Sequence, residues 1–207
     1  MRFPEPPMRR ALPLLAVFAL ALPFGVRAQL SCVTNGVPVL VTFDATLAGV
    51  CNGTYAGTGF EPTPAAGRLD SDGWAMTGWN DAGAGTLAFG GTRVVNDFAR
   101  GTTVGIPTTG GCYAFTHAAI GSASFGIQPG GGDWAPGTLT LRVQNNTGVT
   151  VTDVDIAYEL WVRNNEARGN SFNFSWSTDD GTYFPVVGLN YTSTAALDAL
   201  GFQLNNR

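Results

Sequence analysis

Residues 149–163 alternate with a period of two, and this alternation limits the fold more than any other feature of the chain. Val154, Ile156, Tyr158, Leu160 and Val162 share one parity, while Asp153, Asp155, Glu159 and Arg163 share the other. Apolar and polar residues on opposite parities are the pattern of a half-buried strand. Residues 138–144 precede it and end in the turn Asn145-Asn-Thr-Gly148. Residues 171–177 follow, again alternating, before Thr178-Asp-Asp-Gly181 turns the chain once more. Shorter strand-like pieces lie at 37–43, 74–79, 86–89, 112–117 and 123–127, separated by glycine-rich loops such as 101–111 and 130–132. Many short strands with turn signals between them predict an all-β fold, an antiparallel β-sandwich of jelly-roll type. Only residues 195–200 suggest a helical turn.

The N-terminus carries a leader. Arg2, Arg9 and Arg10 precede an apolar run at 11–22. That run is too short to span a bilayer, which takes roughly 20 apolar residues, and it fits the core of a secretory signal peptide. Val26-Arg27-Ala28 supplies a peptidase site, so cleavage is expected after Ala28. A lipid anchor on Cys32 fits less well, because Leu30 stands one position too close to that cysteine. No later segment is apolar enough to anchor the chain, so residues 29–207 are expected as one secreted or surface-exposed domain. The chain stops at Arg207 soon after a turn, with no evident closing strand, which suggests a module of something longer.

Charge and composition exclude several classes. From Gln29 onward there are seven arginines, no lysine and fourteen carboxylates, a formal charge near −7. That balance opposes phosphate neutralisation, so nucleic acid is not an expected partner. Without lysine there is no Schiff-base chemistry and no phosphate-gripping lysine. Three cysteines lie in the exported part, where disulfides persist. Cys32 and Cys51 are the expected pair, leaving Cys112 as a buried free thiol.

Three stretches, 60–79, 126–148 and 162–175, contain Leu69-Asp-Ser-Asp-Gly-Trp74, Gly130-Gly-Gly-Asp-Trp134 and Arg163-Asn-Asn-Glu166. They resemble an uncharacterised exported β-sandwich module of Bacteroidota-like multidomain surface proteins. The resemblance implies export, a sandwich fold and modular architecture, and it transfers no catalytic residue. Separately, Ser177-Thr-Asp-Asp-Gly-Thr-Tyr-Phe184 resembles the Asp-box of sialidase-like secreted β proteins. It is a hairpin stabiliser in which Asp179 accepts backbone hydrogen bonds and Gly181 is expected to take a positive φ.

The chemistry-bearing residues are few. His117 is the only histidine, which leaves at best a Ser-His-carboxylate arrangement with Ser122 or Ser124 and no nucleophile-elbow pattern around it. Glycosidases need two carboxyls about 5 to 10 Å apart across a cleft. Glu159 and Glu166 are the natural pair, although a solvated face accounts for both. Asp70-Ser-Asp72-Gly73 could offer two carboxylates to calcium, with an Asx-type turn as the alternative. No other cofactor is expected. Trp161, on the polar parity beside Arg163, and Trp134, in a glycine and proline loop, could present indole faces to a sugar. The expected function is non-catalytic adhesion or recognition of a glycan or surface protein. A glycan-active enzyme and a structural spacer are the alternatives.

Overall fold

The strand Gly111–Phe115 is buried along its whole length, and the core gathers around it. The computed structural model of the protein describes residues 29–81, 85–197 and 201–207. The leader at 1–28 and residues 198–200 of the expected helical turn lie outside the described residues, and 195–196 form a bend. The described residues form β-strands, turns and two single-turn 3-10 helices, Asn96–Phe98 and Val187–Leu189, and no α-helix.

Gly111–Phe115 lies between Thr102–Thr103, parallel to it, and Ser124–Gln128, antiparallel to it. Across the antiparallel ladder Gly126 stands opposite Tyr113, and a Cβ at Gly126 would come within 2.2 Å of the Phe115 ring. Glycine there leaves room for the edge of that ring against the neighbouring strand. Trp74–Thr77 pairs antiparallel with Thr138–Leu141, and Leu30–Cys32 runs parallel to Val143–Asn145. Phe60–Glu61 and Leu69–Asp70 pair in parallel across a short connection.

Between these ladders sits an aromatic core. Phe125 lies 5.8–6.4 Å, centroid to centroid, from Phe43, Tyr55, Phe60 and Trp74, a spacing at which each pair contributes about 0.5–1.5 kcal/mol beyond its buried area. Phe60 packs edge-on against Phe98, and so does Trp79. Val50, Leu69, Met76, Leu87 and Cys112 fill the space between the rings. Trp74 buries its indole and satisfies its N–H on the Val50 carbonyl at 3.1 Å, as a buried donor must.

The C-terminal third is built differently. Glu159–Val162 pairs with Gln203–Asn206, Ser171–Phe172 with Tyr191–Thr192, and Ser175–Trp176 with Phe184–Pro185, all antiparallel. Each ladder has two strands only, and beyond Ala123 no described residue is buried. The described sheets as a whole are small and open: six two-stranded ladders and one of three strands.

Several sequence expectations are corrected. Of the alternating run 149–163 only Glu159–Val162 is a strand. Val154 and Ile156, assigned to the inward parity, are 72% and 44% exposed. A strand needs a partner for its backbone groups, and Gln203–Asn206 reaches only the last four residues before Arg163. Residues 37–43 form no strand, with Val37 and Leu40 exposed while Val41 and Phe43 pack on the core. Residues 86–89 contribute one bridge, Leu87 to Met76.

The expected Cys32–Cys51 disulfide is also corrected, since all three cysteines are free. Cys51 turns inward and donates its S–H to the Ala45 carbonyl at 3.0 Å, whereas Cys32 follows the ladder beside Asn145. Burial raises the Cys51 thiol's pKa and pushes that of Cys112 well above the usual range. Cys112 lies against the Met76 sulfur at 3.6 Å.

Candidate functional site

The most tightly organised surface feature is the hairpin that follows Trp176. Asp179 Oδ1 accepts from the backbone N–H of Gly181 and of Thr182, both at 2.9 Å, and from the Ser177 hydroxyl at 2.8 Å. These donors hold the Asp179 carboxyl down at a pKa of about 2, the Thr182 and Gly181 amides contributing most. The positive φ of this turn belongs to Asp180, at 59°, and Gly181 has none, which corrects the sequence assignment. Aspartate tolerates the left-handed region better than most residues. Asp180 also ties the hairpin to its surroundings, accepting from the Tyr183 hydroxyl and from Arg142 Nη2 at 3.1 Å. The Arg142 guanidinium in turn lies 3.5 Å over the Phe89 ring, a cation–π contact.

This turn presents an aromatic pair. Trp176 and Phe184 are direct cross-strand partners, with ring centroids 5.3 Å apart and planes at 35°. Their exposures are 47% and 50%, and Tyr183 beside them is 42% exposed. Large aromatics left open to water on a braced turn form a surface patch of the kind that marks interaction sites. The sequence reading missed both. The signal was present, because Trp176 immediately precedes the Ser177 motif and Phe184 closes it, which makes them neighbours across any tight hairpin.

The residues singled out from sequence are scattered. Trp134 packs inward, 5.9 Å from the Trp79 ring. A Cβ at Gly137 would lie 2.6 Å from its indole carbons, so the ring is held between Trp79 and the Gly137 backbone. The indole N–H groups of Trp79 and Trp134 are enclosed without hydrogen-bond partners. Trp161 is half-buried, pairs with Leu204 and donates from Nε1 to Glu159 at 3.4 Å. Glu166 is exposed and pairs with Arg168 at 3.3 Å, so the structure occupies Glu159 and Glu166 separately. His117 Nδ1 accepts from the Ala119 amide at 3.1 Å, and Ser124 Oγ points to the Phe125 carbonyl at 3.4 Å.

Asp70 is buried, with Oδ1 accepting from the Asp72 amide at 2.9 Å, which is the Asx turn. Burial raises its carboxyl above the usual range, against the pull of that amide. Among the described residues no group of three or more His, Cys, Asp or Glu side chains could hold a metal ion, so calcium at Asp70 and Asp72 would have to draw on carbonyls and water for its remaining oxygens. Arg163, a sugar-binding candidate from sequence, lines a cleft that it shares with His117. Among the described residues no helix is long and apolar enough to cross a membrane. No protein-family model, no curated protein and no solved structure matches this chain.

Proposed function

We propose that the mature chain is an exported recognition module, a sandwich of jelly-roll type, that binds glycan across the Trp176–Phe184 pair. The observation that carries this reading is an exposed cross-strand aromatic pair mounted on a turn whose carboxylate takes three local hydrogen bonds. Flat apolar faces ringed by hydrogen-bonding groups suit the alternating apolar and hydroxylated faces of a sugar. Here Tyr183, Asp180 and Arg142 supply the polar rim. Preorganisation by the Asp179 turn lowers the entropy cost of binding. Export rests on the leader pattern of residues 1–28, and the formal charge near −7 of residues 29–207 favours a neutral partner over a polyanion.

The test is retention of the purified protein on immobilised polysaccharides, with released sugar assayed in the same samples. Retention by the wild-type chain, lost in Trp176→Ala and kept in Trp161→Ala, without sugar release, is the expected result. Retention that survives Trp176→Ala and Phe184→Ala together would overturn the assignment of the surface. Sugar release would return Glu159 and Glu166 to the centre of the problem.

A further inference from the structure

A second site lies away from the aromatic hairpin. Where Glu159–Val162 ends, Arg163 faces a cleft of about 280 Å³ whose other walls are Val104, Ile106, His117, Gly201 and Phe202. Three other segments far apart in sequence therefore meet Arg163 there: the loop after Thr102–Thr103, the end of the core strand Gly111–Phe115, and the approach to the last strand Gln203–Asn206. Phe202 is braced on two sides, 4.9 Å from the His117 ring and 5.7 Å from the Phe115 ring. It gives the cleft a fixed aromatic wall, with Val104 and Ile106, 69% and 38% exposed, on the rim.

The polar side of the cleft is cationic and unsatisfied. Arg68, Arg100, Arg142 and Arg168 each pair with a carboxylate. Arg163 pairs with none among the described residues, and its Nε is enclosed with no hydrogen-bond partner. Arg207 Nε is enclosed in the same way, and an enclosed nitrogen is out of a ligand's reach, so it is the terminal nitrogens of the Arg163 guanidinium that a ligand in the cleft would meet. Gly201 is shaped to this arginine: it holds a φ of +93°, and a Cβ there would sit 3.0 Å from Arg163 Nη1. His117 adds a second donor. Its Nδ1 accepts the Ala119 amide, so the neutral ring carries its proton on Nε2. No carboxylate lines the cleft.

We infer that the Arg163–His117 cleft binds a small organic carboxylate with an apolar body. The carboxylate is held by the planar fork of Arg163, which matches its two oxygens, and the apolar body lies against Phe202, Val104 and Ile106. The site is independent of the glycan reading, since none of its walls belongs to the Asp179 hairpin.

His117 is the only histidine in the chain, so its imidazole signals report the cleft without ambiguity in an NMR titration at constant pH. Benzoate is expected to shift them saturably, and benzamide, the same shape without the charge, to bind at least about tenfold more weakly, as loss of a charge-assisted bidentate contact requires. Arg163→Gln is expected to weaken benzoate by a similar factor and Arg163→Lys by less, while Trp176→Ala leaves benzoate binding unchanged. Benzamide binding as well as benzoate would overturn the proposal on the wild-type protein alone, with no variant needed. Equal benzoate binding by Arg163→Gln, or His117 signals that do not move, would do the same. Glucuronate binding more tightly than benzoate would overturn the apolar body.

Discussion

Tyr55, Phe60 and Phe98 are at most 1% exposed, whereas Trp176 and Phe184 are about half exposed and Val187 is 77% exposed. Apart from Tyr55, which lies in a loop, both sets belong to short strands or single turns. What differs is cover. In the N-terminal region rings from four or more segments converge on Phe125, and the strand Gly111–Phe115 has neighbours on both edges. From Val143 to the C-terminus the main ladders are two-stranded, and two strands alone are marginal in water without something packed on a face. Stability is therefore concentrated in the first region, and the second is free to expose its side chains to partners.

The contrast breaks most easily at a single ring. Phe60→Ala should destabilise the protein by about 3–5 kcal/mol, the range for emptying a large aromatic site in a core. Trp176→Ala, at a half-exposed position, should cost under about 1 kcal/mol. Urea denaturation of the two variants checks this, and similar costs for both would refute the division of the molecule.

Thiol accessibility sharpens the same comparison. With all three cysteines free, a thiol reagent under denaturing conditions without reductant should titrate three groups. In the native state half-buried Cys32 should react first, and the enclosed, proton-retaining Cys51 and Cys112 far more slowly. A single reactive thiol on unfolding would restore the Cys32–Cys51 bond.

The smallest effect is local to the hairpin. The Asp179 pKa is depressed from 3.8 to about 2 in the folded state. Its contribution is thus complete above the unfolded value and is lost as pH falls from about 4 toward about 2. The amide resonances of Gly181 and Thr182 should move together over that window, and Asp179→Asn should abolish the shared transition. A midpoint near the ordinary carboxylate value would mean the turn is not braced as described.

The sequence by itself determined what depends on near neighbours. The Asp179 turn was legible because its donors, Ser177, Gly181 and Thr182, lie within three residues of it, although the positive φ went to Asp180. The all-β character was legible because short alternating pieces bounded by glycine favour strands. Alternation could not say which pieces find partners. Phe172, Phe174 and Trp176 share one parity, yet Phe172 and Phe174 pack on Tyr158 at 5.8 and 6.1 Å, while Trp176 opens to water. The run is split between two partners, Tyr191–Thr192 and Phe184–Pro185, and one face becomes two environments. The Arg163 cleft was hidden for the same reason. Ile106, His117, Arg163 and Phe202 are adjacent only because the chain returns to one place four times, and side-chain periodicity carries no record of those returns. Tertiary packing alone chose which strands have cover, and so which aromatic rings hold the fold together and which face solvent.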